Sequence, residues 1–104
     1  MNYCYKIWFF NEMPDLMDIS KGRKSLKEFN SIIEADKYIK YNLKCKIMDF
    51  ISTTYNYEPE NIEVIILCVD ISHHIFFIKA RHTNIEPSEH LFKCWARIYR
   101  LYKR

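Results

Sequence analysis

The sequence predicts an α+β fold: a small single domain over residues 1–104, built as an antiparallel sheet of three to four strands with two helices packed on one face, in the order β-(β)-α-β-β-α. Three observations carry this. Residues 3–10, 62–71 and 74–81 are runs of aromatic and β-branched residues. Residues 31–54 repeat apolar side chains at helical spacing behind a capping sequence. Residues 87–104 repeat them again beside a row of cations.

Taken in order, residues 3–10 read as a strand with Tyr3, Tyr5, Ile7 and Phe9 on one face and Cys4, Lys6, Trp8 and Phe10 on the other. Residues 11–25 hold Pro14 and Gly22. Glu12, Asp15 and Asp18 come first, then Lys21, Arg23 and Lys24. A connection this long in a short chain is functional or mobile. Residues 26–29 form a short second strand. Ser31 and Glu34 make a capping box, each side chain satisfying a backbone N–H of the other's turn. The helix then runs to about Thr54, with Ile32, Ala35, Ile39, Leu43, Ile47, Phe50 and Ile51 as its apolar stripe. Pro59 and its neighbours end it. Residues 62–71 read as a central strand, because positions 65–69 are apolar on both faces. After a turn around Asp70, residues 74–81 return as its hairpin partner. A last helix starts near Pro87, with Leu91, Trp95, Ile98 and Leu101 facing the core.

The bulk properties suit one cored domain. The chain is 49% hydrophobic and 28% charged, which excludes the composition of disorder. Its net charge of +3 is a mild basic bias, below the charge density of a dedicated duplex-DNA binder. Residues rich in AT codons are abundant, as in a low-GC bacterium, its phage or a large DNA virus. The cysteines Cys4, Cys45, Cys68 and Cys94 form no C-x-x-C pair, no 18-residue apolar span occurs, and no signal peptide is expected because Lys6 interrupts the first apolar run. Free, mostly buried thiols in a reducing cytoplasm are expected, with no membrane association.

No motif carries catalysis. Asp70, His73 and His74 are the one His/acid cluster, and they fit a polar hairpin turn at least as well as a site. The dispersed cysteines lack zinc-ligand spacing, and Glu12, Asp15 and Asp18 lie in a loop without an accompanying motif. One glycine cannot build a phosphate cradle. No catalytic residue, metal or cofactor is assigned.

What remains is surface. Lys93, Arg97, Arg100 and Arg104 form the candidate partner- or anion-binding row. Trp8, Phe10, Phe77, Lys79 and Arg81 are the candidate interface on the helix-free side of the sheet, too apolar for a quiet monomer. The expected function is a small non-enzymatic binding protein acting by protein–protein contacts, an inhibitor of a host nucleic-acid-handling or defence protein encoded by a phage or mobile element. A homodimer is the other protein contact expected. The alternative is a single-stranded nucleic-acid (RNA) binding module using the aromatic sheet face and the basic C-terminal helix. A third reading is a ribonuclease-type toxin using His73, His74 and Arg81.

The element order is shared with the first five elements of an RNA-recognition-motif domain. The glycine and aromatic spacing of that family's third strand are absent from residues 75–81, so no residue roles are carried over and no family is assigned.

Overall fold

A computed structural model describes residues 3–15, 21–25, 27–84 and 89–103. Its strands are β1 (Tyr3–Phe10), β2 (Arg23–Lys24), β3 (Ile62–Asp70), β4 (Ile75–His82) and β5 (Phe92–Tyr102). They form one antiparallel sheet in the order β2-β1-β5-β4-β3. One helical arm crosses a single face of it: α1 (Ile32–Lys37), a π-helical segment (Tyr38–Leu43) and α2 (Lys44–Tyr55).

The expected pair of helices on a three- to four-stranded sheet is therefore corrected to one helical arm on five strands. The predicted C-terminal helix is β5, the middle strand of the sheet. The physical reason lies in its alternation. Phe92, Cys94, Ala96 and Ile98 share one face, and Lys93, Trp95, Arg97 and Tyr99 share the other. Both faces carry large apolar groups, so some fall at helical spacing by coincidence. Pro87, the proposed helix start, lies outside the described residues.

Two smaller corrections follow the same strands. β3 is an edge strand and not a central one, and Leu67 and Val69 stand half exposed. The expected second strand at 26–29 is displaced to Arg23–Lys24. Phe29 still exchanges backbone hydrogen bonds of 2.9 Å with Tyr5, and Leu26 is outside the described residues.

The helical arm begins as its cap requires. The Ser31 hydroxyl accepts from the Glu34 N–H at 3.1 Å, while the Glu34 carboxylate accepts from Asn30 N–H, one residue before the expected donor. Ala35, Ile39, Leu43, Ile47 and Ile51 recur every fourth residue. On a 3.6-residue helix each such step overshoots by about 40°, enough to carry the stripe off the sheet. The π-helical segment turns less per residue and takes up that overshoot. Ala35, Ile39, Ile47 and Ile51 are all buried, whereas Phe50, also expected in the stripe, points outward. Asn56, at φ 56° and ψ 42°, closes the arm in the left-handed region.

Beneath the arm lies the core: Ile7 from β1, Ile62 and Val64 from β3, Phe76, Ile78 and Ala80 from β4, and Cys94, Ala96 and Ile98 from β5. No buried residue is polar or charged among those described. Cys4 and Cys94 are buried, but Cys45 and Cys68 are exposed. Burial pushes the Cys94 thiol up to about 11. No helix of the described residues is long and apolar enough to cross a membrane.

Candidate functional site

The face of the sheet opposite the helical arm is set by register. Trp8 lies across from Arg97, Phe10 from Trp95 and Lys6 from Tyr99. Phe77 also faces Trp95, Lys79 faces Lys93, and Ile75 faces Arg97. Lys24 enters from β2 opposite Trp8. Arg81 faces Glu63 on β3 and pairs with it at 2.9 Å. One side of the sheet thus gathers five aromatic residues: Trp8, Phe10, Phe77, Trp95 and Tyr99. It also gathers six cationic ones: Lys6, Lys24, Lys79, Arg81, Lys93 and Arg97. Among the described residues the acids that meet this face are Glu63, Glu28 at 3.8 Å from Lys6 and, at the hairpin end, Asp70, and each has a cationic or imidazole partner.

The rings pack against one another and carry cations. Trp8 meets Tyr99 edge to face at 4.9 Å, and Phe77 tilts against Trp95 at 5.1 Å. The Arg97 guanidinium lies 4.4 Å from the Tyr99 ring centre, Lys93 sits 5.5 Å from that of Trp95, and Lys24 5.7 Å from that of Trp8. Burial raises the Tyr99 phenol above its ordinary value, and the Arg97 charge partly offsets this.

The segment around Gly22 closes one end of the face. A Cβ at Gly22 would stand 2.6 Å from Phe10 Cε1 and 3.0 Å from Trp8 Cδ1, so only glycine permits this approach. Trp8 and Phe10 are consequently buried, while Phe77, Trp95 and Tyr99 stay partly open. Two hollows flank Phe10. One of about 310 Å³ is lined by Glu12, Met13, Pro14 and Asp15. The other, of about 430 Å³, runs toward Leu43 and Ile47 with Lys21, Arg23 and Lys93 among its lining residues.

Trp8, Phe10, Phe77, Lys79, Arg81, Lys93 and Arg97 all meet on this face. Arg100 does not. It sits on the helix side of β5, over the rings of Tyr3 and Tyr102. Arg104 and Asp18 lie outside the described residues. Trp95 and Tyr99 were missed as surface groups, because a helical reading of residues 92–102 sends Trp95 into the core. The period-two alternation of cations and aromatics in that stretch was the available signal.

The other sequence candidates do not assemble a site. At the β3–β4 turn the Asp70 carboxylate accepts from His73 N–H at 3.1 Å, and the His73 ring Nδ1 lies 2.9 Å from its second oxygen. The His73 ring, then the His73 N–H, hold Asp70 below the ordinary carboxylate value. His74 at φ 52° completes the turn. Arg81 is near the far end of β4, about 20 Å from these histidines at strand rise. Among the described residues no three His, Cys, Asp or Glu side chains stand together to hold a metal.

No protein-family model, curated protein or solved structure matches the chain.

Proposed function

We propose that the protein binds single-stranded nucleic acid across the helix-free face of its sheet. The observation that supports this is the sharing of one face by Phe77, Trp95 and Tyr99 with cations from four strands. A single strand offers two groups that such a surface takes at once, planar bases for the rings and phosphates for the cations. Lys24, Lys93 and Arg97 already lie over rings of this face, so these three can pass from a ring to a phosphate with little movement. Stacking and charge contacts of this kind do not read base edges, which suits weak, sequence-tolerant binding. Dissociation constants of about 10⁻⁶ to 10⁻⁴ M at physiological salt are expected.

The test is fluorescence anisotropy with labelled single-stranded RNA and DNA over a salt series. Affinity falls with salt by about 0.7 log units per log unit for each phosphate neutralised. The double variant Lys93→Gln, Arg97→Gln should therefore flatten the slope by about 1.4 while the far-ultraviolet spectrum stays the same. Trp95→Ala should weaken binding by about 1–3 kcal/mol with the slope retained. Binding that ignores both variants, or no salt-sensitive binding at all, refutes the proposal.

A protein target is the second reading, and the observation that favours it is the half-exposed apolar edge of β3. An inhibitory role needs a target surface as well, and the geometry singles out none.

A further inference from the structure

β3 ends one side of the sheet, and among the described residues nothing pairs with its outer edge. Exposed edges are usually protected by lysine, proline or a covering loop. The other side of the sheet has such cover: β2 lies along β1, Ser25 N–H donates to Ile7 O at 2.8 Å, and Phe29 bonds to Tyr5. Among the described residues β3 has no lysine, proline or covering segment along this edge, and its charge and its bulge lie at its two ends, at Glu63 and between Cys68 and Asp70. Between Glu63 and Asp70 it reads Val64-Ile65-Ile66-Leu67-Cys68-Val69. Leu67 is 53% exposed, Val69 47% and Ile71, just beyond, 79%.

The phase of this edge follows from one hydrogen bond. Thr83 N–H donates to Asn61 O at 2.9 Å, one step outside the Ile62–His82 pair. The odd-numbered residues of β3 therefore direct their N–H and C=O groups at β4. Those of Val64 and Ile66 point away from the sheet.

We infer that β3 pairs antiparallel with β3 of a second copy of this chain, about a two-fold axis at Ile65. A two-fold contact requires a strand complementary to itself, and this one is. Centred on Ile65, residues 62–68 pair with themselves in reverse. Val64 meets Ile66 with both sets of outward backbone groups in phase, Ile65 meets itself, Ile62 meets Cys68 and Glu63 meets Leu67. The whole ladder lies ahead of the bulge between Cys68 and Asp70. No like charges are opposed. A centre between Ile66 and Leu67 would instead set Glu63 against Asp70 and put the outward groups out of phase. The product is a closed dimer with one ten-stranded sheet, because each copy has one bare edge of this kind. Its two aromatic, cationic faces would run on continuously. The inference stands without the nucleic-acid reading, and its test uses nucleic-acid-free protein.

Sedimentation equilibrium of the full chain should give twice 12.8 kDa. Leu67→Glu places a carboxylate opposite Glu63 of the second copy on both sides of the axis, and should halve that mass. Leu67→Lys, at the same half-exposed position, places opposite charges there and should keep the dimer. Amide exchange gives a second readout: Val64 and Ile66 N–H groups should be protected in the wild type and lose protection in Leu67→Glu, while β5 amides stay protected in both. A monomeric wild type, open-ended polymers, or equal behaviour of the Glu and Lys variants would overturn the inference.

Discussion

Replacing Ala96 by Asp tests the central correction to the fold. Ala96 sits on β5 between Phe9 and Phe76 with no exposed surface, on the side covered by the helical arm. A helical reading of the same segment puts this position off the Leu91, Trp95, Ile98, Leu101 stripe and toward water. The core around Ala96 holds no charged residue, so an introduced carboxyl there has no cation to meet. It must stay protonated. At pH 7 that means holding a proton about three units above its ordinary value of about 3.9, worth roughly 4 kcal/mol at 1.36 kcal/mol per unit. Forcing extra atoms into a filled core adds about 1–3 kcal/mol. The total approaches the roughly 5–15 kcal/mol that holds a domain folded. Lys93→Asp on the exposed face of the same strand should change stability by no more than about 0.5 kcal/mol. Urea melts followed by circular dichroism measure both. The pH dependence has a definite sign. A carboxyl whose folded value is raised destabilises least below its unfolded value, so the Ala96→Asp loss should shrink toward the steric part near pH 4 and grow toward neutrality. A loss below about half a kcal/mol at pH 7 would mean that residues 92–102 are not a buried central strand.

Gly22→Ala drives a methyl group to 2.6 Å from the Phe10 ring. It should cost about 1–3 kcal/mol in the same melts and shift Trp8 emission in a Trp95→Phe background. Unchanged emission and stability would show that the Gly22 segment does not rest on these rings. Ile39→Ala, fully buried in the π-helical segment, should cost about 2–5 kcal/mol. At pH 8 an alkylating reagent should modify Cys45 and Cys68 quickly, and Cys94, buried and raised to about 11, only after unfolding. The Asp70 carboxyl should titrate below about 3.9 by NMR, so its contribution to the hairpin turn is full above that value and fades as pH falls through the folded midpoint. His73→Ala should move that midpoint upward.

The sequence was most legible where one face of an element is polar. Ser31, Glu34 and the Ala35–Ile51 stripe identify a helix because Lys37, Lys40 and Lys44 leave no second apolar face. The hairpin was legible because Asp70 and His73 interrupt two β-branched runs. Residues 92–102 were ambiguous because both strand faces are apolar, and local spacing cannot choose between periods when nearly every position qualifies. The deciding interaction is distant: Ile98 needs Ile7 on one side, and Cys94 needs Ile78 on the other. β3 misled in the opposite direction. A run apolar on both faces reads as central, yet here it borders solvent. The candidate face inherited the same ambiguity. Its β1 and β4 members were readable from alternation alone, but Trp95 and Tyr99 joined them only once β5 was known to be extended.

The position of β5 also dictates when this protein can fold. The last strand in sequence lies between the first and the fourth, and Tyr3 pairs with Tyr102 across nearly the whole chain. Closing a loop of that size costs about 4 kcal/mol of chain entropy beyond a constant, before any contact rewards it. The β3–β4 hairpin and the helical arm can form early, because their contacts are local. β1 cannot: until β5 arrives, its Trp8 and Phe10 and its unpaired backbone wait without the neighbour that completes them. Synthesis therefore leaves this aromatic strand without its β5 neighbour until the residues through Tyr102 have been added. Refolding should be slow for a domain of this length, with aggregation competing during that interval.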